Sequence, residues 1–317
     1  MTSAAARDVS VVIPTYNRAV LLAQTLASLD RQTVTAAEII VVDDGSTDST
    51  QELLAAHGVT VITNPHGGWG PGRARNCGLE QVSTKFVAFV DSDDLLFPQA
   101  LERLRAALLA QPEAPFAYGC GLAVMQVHGA WRHLGLIART RAEERDPLVS
   151  IFVRNSVPAS GTLANADLVR RLGGYDRAVE WSEDHHLWIR LAQQGPPAYV
   201  PHLVCAYRRH PGNRFAGVEV GGDAAAILSL AKDDARLRPY VADRLGVLLC
   251  ESLVDAVLSR RPRAFAVAVR QLLPYATRPD RIVARALSQL RTRKAGARLG
   301  DRVWEERSDI RAWLADF

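Results

Sequence analysis

The chain of 317 residues lacks the features that would place it across a membrane, in a disulfide scaffold or at a zinc site. No apolar run approaches the ~20 residues that cross a bilayer. The polar N-terminus has no apolar segment of the kind found in signal peptides. The cysteines are scattered, with no C-x-x-C pair: Cys77, Cys120, Cys205 and Cys250. These absences predict a cytoplasmic protein with reduced thiols.

Lysine is also scarce, since only three of the 38 basic residues are lysine. Charge is uneven, with a net −3 over residues 1–224 and +7 over residues 225–317. We expect residues 223–317 to form a basic helical extension. It would touch an anionic membrane, form a homo-oligomer interface or cap an acceptor site, unless it is simply a solvated face. Sparse aromatic residues there argue against nucleic-acid binding.

Strand and helix patterns alternate along the first third of the chain. This alternation predicts a mostly parallel sheet with helices on both faces, an α/β fold. The predicted strands cover residues 9–13, 38–42, 59–63 and 85–90, and the helices cover 19–29, 48–56, 72–82 and 98–110. Further along, a hairpin over 116–127 and 131–137, a helix over 165–172, a helix over 183–193 and a strand over 198–207 are predicted. Polar clusters follow three of the early strands, where parallel sheets bind ligands: Pro14–Arg18, Asp43–Ser46 and Asp91–Asp94.

The cluster Asp91-Ser92-Asp93-Asp94 brings three carboxylates together at the end of an apolar strand. Unpaired, these carboxylates would repel one another. A hard divalent cation such as Mg²⁺ or Mn²⁺ removes the conflict, because it binds one or two carboxylates together with phosphate oxygens. A solvated turn that caps the next helix is the alternative interpretation.

A second acidic pair, Glu183-Asp184, opens a predicted helix. Carboxylates in a first helical turn are stabilised by the helix dipole, so a purely structural role is one interpretation. The other interpretation is catalytic, because a carboxylate can act as a general base towards a hydroxyl group.

The motifs, taken in order, resemble family 2 glycosyltransferases of the GT-A fold, over residues 9 to about 210. The matching segments are Val9–Arg18, Glu38–Asp48, Ala74–Gly78, Asp91–Asp94, Gly173–Asp176 and Glu183–Leu191. The resemblance implies a transferase domain over residues 1–222, with a nucleotide-binding half (1–110) and an acceptor-side half (111–222). The basic helices of 223–317 lie outside the motifs.

The resemblance also implies roles for individual residues. The nucleotide is expected to contact Pro14, Thr15, Tyr16, Asn17, Arg18, Asp43, Asp44, Arg75, Asp91 and Ser92. The metal is expected on Asp93, with Asp91 and His210. Asp184 is the expected general base, and Glu183, Trp181 and Gly174 are expected on the acceptor side.

The activity that follows from the resemblance is inverting transfer of a sugar from a nucleotide-diphosphate donor to a hydroxyl acceptor. UDP-sugar is the default donor, dTDP-sugar is a second possibility, and Mn²⁺ or Mg²⁺ is the expected cofactor. A nucleotidyltransferase is the competing enzyme class, but Pro14–Arg18 lacks its glycine-rich, lysine-containing signature. A non-catalytic sugar-nucleotide-binding protein is the third interpretation, which the intact Asp43, Asp93 and Asp184 disfavour.

Overall fold

A computed structural model describes residues 4–139, 144–180, 182–210, 212–213, 220–258, 266, 269–270 and 278–317. The strands of these residues are Ala4–Thr15 (β1), Val34–Asp43 (β2), Thr60–Thr63 (β3), Phe86–Phe89 (β4), Leu95–Leu96 (β5), Phe116–Val127 (β6), Ala130–Ile137 (β7), Thr162–Asn165 (β8) and Ala198–Arg209 (β9). The α-helices are Ala19–Asp30 (α1), Thr50–His57 (α2), Gly70–Gln81 (α3), Ala100–Ala110 (α4), Pro147–Val153 (α5), Ala166–Arg171 (α6), Glu183–Ala192 (α7), Val220–Asp233 (α8), Val241–Leu258 (α9), Pro279–Glu306 (α10) and Ser308–Leu314 (α11).

The strands form one sheet in the order β3-β2-β1-β4-β8-β6-β9-β5, with β7 paired to β6. Strands β3, β2, β1 and β4 are parallel, as predicted. In the second half, β8 runs antiparallel to both β4 and β6, whereas β6 and β9 are parallel. The sheet is therefore mixed, and it agrees with the predicted α/β class. The sequence pattern did not predict β5, β8 and α5, which are all short.

Strand β1 shows why helices cover both faces of the sheet. Side chains alternate along a strand, and Val9, Val11 and Ile13 point into a core that contains the apolar faces of α1 and α4. Val12 points to the opposite face, into a core built with α3, α5 and α7. An uninterrupted β-branched run is what a strand buried on both faces requires.

Gly78 allows helix α3 to approach the sheet closely. A Cβ atom at this position would lie 2.3 Å from Cγ1 of Val12 and 3.2 Å from Cγ2 of Val42. Such contacts are far inside normal packing distance, so only glycine fits. The close approach places Arg75, one turn earlier on α3, beside the end of β4.

The C-terminal helices pack onto the second half of the sheet. Helix α10 lies against α9 and β7, and the last residues complete a third core around Leu95 and Phe97. The aromatic residues of this core include Trp131, Trp304, Trp313 and Phe317. None of the described helices is long and apolar enough to cross a membrane. Most of the basic stretch 260–298 lies outside the residues whose side chains the structure describes.

Candidate active site

A cavity of about 1510 Å³ opens where β1, β2 and β4 end. The cavity therefore lies at the edge of the sheet where the sequence predicts ligand binding. Most of the predicted site residues line this cavity: Pro14, Thr15, Tyr16, Asn17, Arg18, Asp44, Arg75, Asp91, Ser92, Asp93, Glu183, Asp184 and His210. Asp43 and Gly174 are not among its lining residues, and Trp181 lies outside the described residues.

Asp93 lies at the centre of a group of polar contacts just beyond the end of β4. Its Oδ2 is 3.0 Å from Nε2 of His210, and Arg18 forms an ion pair with the same oxygen. Nδ2 of Asn213 donates to it at 3.4 Å. Burial alone would raise the pKa of Asp93, but the hydrogen bond from His210 and the charge of Arg18 bring that pKa below its usual value. Asp93 is therefore ionised at neutral pH.

Asp94 is buried beneath the cavity and holds the loop in place. Its carboxylate accepts hydrogen bonds from Oγ of Ser160 at 2.6 Å and from the backbone N–H of Arg208 at 3.0 Å. Burial, with the charges of Asp93 and Asp91, raises the pKa of Asp94 well above its usual value. The Arg208 guanidinium bonds the carbonyl of Asp93 and also reaches α1 through the carbonyl of Leu21.

The residues at the end of β4 fit a divalent cation that binds together with a phosphate group. Asp93 and His210 present an oxygen and a nitrogen side by side, and Asp91 lines the same cavity. Within the described ranges, no group of three or more His, Cys, Asp or Glu side chains is placed to hold a metal ion by itself. Mg²⁺ and Mn²⁺ in phosphate-handling sites take few carboxylates and fill their other positions with water and phosphate oxygens. The donor set is compatible with that kind of site.

Arg75 joins the two halves of the cavity. Its Nη1 donates to Oε1 of Glu183 at 2.8 Å, and its Nη2 forms an ion pair with Asp91. The guanidinium lies over the ring of Tyr175, 5.1 Å from its centroid. This side chain is almost fully buried. It therefore fixes Glu183, the neighbour of Asp184, relative to the strand end that carries Asp91.

The structure separates the roles of Asp43 and Asp44. Asp43 is fully buried, and its carboxylate accepts from the backbone N–H of Ser46 at 2.9 Å and from Gln51 at 3.3 Å. Asp43 thus caps the turn that follows β2 and does not line the cavity. Asp44 lines the cavity and accepts from the backbone N–H groups of Trp69 and Gly70, at 3.0 and 2.9 Å.

The loop after β1 forms part of the rim of the cavity. Asn17 has a left-handed backbone (φ 50°), and its Oδ1 accepts from the backbone N–H of Thr47 at 2.7 Å. This contact ties the loop to the turn after β2. Tyr16 is 55% exposed on the same rim. Its aromatic face is available for stacking against a planar ring.

Asp184 is the second residue of helix α7 and lines the cavity on the side opposite Asp93. Its Oδ1 accepts from the backbone N–H of His185 at 2.6 Å, and Nδ2 of Asn155 lies 3.4 Å from its Oδ2. Burial, reinforced by the adjacent charge of Glu183, raises the pKa of Asp184 to about 7. A carboxylate with this pKa is partly ionised at neutral pH, so it can accept a proton. It is also a stronger base than an aspartate with the usual pKa.

Gly174 serves the fold and does not line the cavity. It has a left-handed backbone (φ 67°), and a Cβ atom there would lie 2.3 Å from Oδ1 of Asn76. The Asn76 amide bonds the backbone N–H and carbonyl of Tyr175, each at 2.8 Å. The Gly-Gly-Tyr segment is thereby fastened to α3 beneath Arg75.

Several cavity residues were not singled out from the sequence. Asn155 follows α5, which itself was not predicted, and it carries no motif that would mark it. Arg244, Leu248 and Glu251 come from α9. Their spacing of four and then three residues is the spacing of one helix face. The sequence indicates that these three residues share one helix face, but it does not indicate that this face lines the cavity.

Comparison with known proteins places the chain in a family. Residues 10–153 match the model of glycosyl transferase family 2. The pre-mycofactocin glycosyltransferase of Mycobacterium tuberculosis (strain H37Rv) is 32% identical over 279 residues, which cover 82% of this chain and 58% of that protein. The structure of S. aureus TarS 1–349 in complex with UDP-GlcNAc is similar, with a TM-score of 0.58 and 20% identity, covering 95% of this chain and 91% of that chain.

A second solved structure, the mannosyltransferase PcManGT from Pyrobaculum calidifontis in complex with GDP-Man and Mn²⁺, has a TM-score of 0.52 and 18% identity. It covers 89% of this chain and 87% of that chain. The sheet with its flanking helices is that of a GT-A protein, which confirms the predicted fold. The chain belongs to glycosyltransferase family 2. It spans about half the length of the curated relatives it matches, such as 58% of the mycobacterial protein.

Proposed function

We propose that this chain transfers a sugar from a nucleotide-diphosphate donor to a hydroxyl acceptor, with inversion at the anomeric carbon. The observation that carries the proposal is the position of Asp184. A carboxylate with a pKa raised to about 7 faces the same cavity as Asp93, His210 and Arg75. UDP-sugar is the first choice of donor from the family resemblance, and dTDP-sugar is the second.

In the proposed reaction, Asp184 takes the proton of the acceptor hydroxyl as its oxygen attacks the anomeric carbon. The bond between that carbon and the diphosphate oxygen breaks in the same displacement, and the nucleoside diphosphate leaves on the opposite face. Asn155 and the backbone N–H of His185 hold the carboxylate in position. Arg75 forms an ion pair with the neighbouring Glu183. The positive charge of Arg75 lowers the pKa of Asp184 and so opposes the effect of the Glu183 carboxylate.

On the donor side, Tyr16 would stack on the base, and Asp44 would accept from a base N–H. Asp43 would act only through the turn it caps. A divalent cation held by Asp93 and His210, with Asp91 nearby, would offset the charge that develops on the leaving diphosphate. Arg75 is positioned to add positive charge on the same side.

The family membership favours this proposal over a nucleotidyltransferase or a non-catalytic binding protein. Residues 1–222 would form the transferase domain, and 223–317 the extension. A cytoplasmic location, with the extension at the inner face of the membrane or in a homo-oligomer, stays a prediction.

The donor is tested by thermal unfolding with UDP-, dTDP- and GDP-sugars in the presence of Mn²⁺. We expect one nucleotide class to raise the melting temperature, because a ligand that binds only the folded state stabilises it. A protein that responds to none of these donors would contradict the proposal.

The chemistry is tested with Asp184→Asn in single-turnover transfer. We expect unchanged donor binding and a transfer rate lower by about 10²- to 10⁴-fold, the contribution of a general base. NMR of the product should show the inverted anomer. An unchanged transfer rate in this variant would show that Asp184 is not the base. A product with retained anomeric configuration would show that the transfer is not a direct displacement.

A further inference from the structure

Arg244, on helix α9, is a buried charge that the proposed transfer does not use. Its side chain is 4% exposed, yet it lines the same cavity as Asp184. Nη1 donates to the backbone carbonyl of Val153 at 3.3 Å, and Nε has no hydrogen-bond partner among the described residues. No described carboxylate forms an ion pair with it.

A buried guanidinium without a counter-ion is unfavourable, because the lost hydration is not replaced. Burial lowers the pKa of Arg244, and the more distant charge of Glu251 offsets this only in part. Arginine nevertheless stays protonated in proteins. Arg244 is therefore positively charged within the cavity. An anion that enters the cavity would neutralise this charge.

The position of Arg244 connects it with the acceptor side. Arg244 is bonded to the carbonyl of Val153, and Asp184 is contacted by Asn155, two residues further along the same segment. The Cα atoms of residues two apart are at most about 7 Å from each other. The ring of His185 lies close as well, and burial together with the charge of Arg244 holds its pKa well below the usual value.

The remaining surface of α9 completes a small subsite. Leu248 and Glu251 follow Arg244 on the same helix face and also line the cavity. Leu248 is buried and apolar, and Glu251 is partly exposed. The subsite thus offers a cation, an apolar contact and a hydrogen-bond acceptor. The donor residues of the β1 and β4 loops are not part of it.

We propose that Arg244 binds an oxyanion of the acceptor, a carboxylate or a phosphate, whose neighbouring hydroxyl faces Asp184. The proposal rests on the proposed transferase function. A guanidinium pairs with either group through two parallel hydrogen bonds, which also orients the bound molecule. Helix α9 is then the wall that selects acidic acceptors, although it lies outside the segment that matches the family model.

The first experiment measures binding without turnover. Thermal unfolding is followed for the unmodified protein, Arg244→Gln and Arg244→Lys, with UDP and Mg²⁺ in excess to fill the donor side. Inorganic phosphate or acetate is then titrated in. Arg281→Gln is the matched control, because Arg281 is an exposed arginine on α10 that pairs with Asp243.

We expect the oxyanions to raise the melting temperature of the unmodified protein and of Arg281→Gln, to raise it less for Arg244→Lys, and not to raise it for Arg244→Gln. The stronger of the two oxyanions identifies the acceptor group. Without oxyanions, Arg244→Gln should be at least as stable as the unmodified protein, since a buried unpaired charge has been removed. An equal response of all variants would overturn the proposal. So would a destabilised Arg244→Gln, because that result would make the arginine a structural residue.

The second experiment uses three acceptors with one ring: methyl glucoside, methyl glucuronide and methyl glucoside 6-phosphate. Arg244→Gln should lower kcat/KM for the acidic acceptor by about 10- to 100-fold, the effect of losing hydrogen bonds to a charged group. Transfer to the neutral sugar should fall much less, so that the ratio of acidic to neutral transfer drops. A constant ratio between acidic and neutral acceptors would overturn the acceptor assignment. Oxyanion binding through Arg244 in a protein that transfers no sugar would instead count against the transferase function alone.

Discussion

Replacing Asp184 with Asn should stabilise the protein while it removes the proposed base. The carboxylate is held in a partly buried position next to Glu183, where ionisation is unfavourable. Asparagine keeps the shape of the side chain and an oxygen that can accept from the backbone N–H of His185. It cannot ionise, so it does not suffer the repulsion.

The magnitude follows from the shift in pKa. The pKa of Asp184 rises from 3.8 to about 7 in the folded state. Each pKa unit corresponds to 1.36 kcal/mol, so the full shift corresponds to roughly 4 kcal/mol. A raised carboxylate pKa means that the folded state binds the extra proton. Its contribution to stability is complete below pH 3.8 and is lost as pH rises to about 7.

Urea unfolding at pH 5 and pH 8 measures this effect. Asp184→Asn should exceed the unmodified protein in free energy of unfolding by roughly 1–2 kcal/mol at pH 5 and by about 4 kcal/mol at pH 8. Asp309→Asn is the control, because Asp309 is exposed and its pKa is lowered by its hydrogen bond with Arg307. That variant should be slightly less stable than the unmodified protein by the same amount at both pH values, because the stabilisation from a lowered carboxylate pKa is complete above about pH 3.8.

The outcome that refutes the reasoning is a pH-independent difference between Asp184→Asn and the unmodified protein. It would mean that Asp184 titrates in the folded state much as it does in the unfolded chain. A variant that is less stable at pH 8 would show that the carboxylate is a structural ligand of the backbone, as in a helix cap.

Three further results are expected. The rate kcat/KM should rise with pH and level off above about 7, as Asp184 loses its proton; a rate that falls over this range would exclude it as the base. Asp93→Ala should leave the fold intact and abolish Mn²⁺-dependent donor turnover, with Mn²⁺ binding in the presence of UDP lost in calorimetry; near-normal activity would reject the metal assignment. Gly78→Ala should destabilise the protein by about 1–3 kcal/mol through overpacking against Val12. Val12→Ala should relieve part of that cost in the double variant, and strictly additive effects would show that the two residues do not clash.

The strands and helices that were predicted from the sequence are those with a strong local pattern of apolar residues. Strand β1 was expected over residues 9–13, and it contains the run of β-branched residues that is buried on both faces. Strands β5 and β8 have only two and four residues. Their pairing depends on distant strands, so no local pattern marks them.

The candidate site divides in a similar way. Asp91, Asp93 and Asp184 stand in motifs, and all three line the cavity. The separation of Asp43 from Asp44 could not be read from the sequence. Neighbouring residues on an extended strand end point in opposite directions, and which of them faces the ligand depends on the register with β1. Arg244 was missed because a single arginine in a predicted helical stretch gives no sign of its burial.

The clamp from Arg208 to the loop of Asp93 has a consequence for the order of folding. The guanidinium and the carbonyl it bonds are 115 residues apart in the chain, and the same side chain also holds α1. Contacts of such separation form late, since a long loop must close first. During synthesis, the loop at the end of β4 therefore emerges from the ribosome well before the residue that fixes it. The first 110 residues contain most of the residues proposed to bind the donor, but they do not contain Arg208, which holds the loop of Asp93 in place. Donor binding thus reports the completed fold through β9, not the folding of an independent nucleotide-binding half.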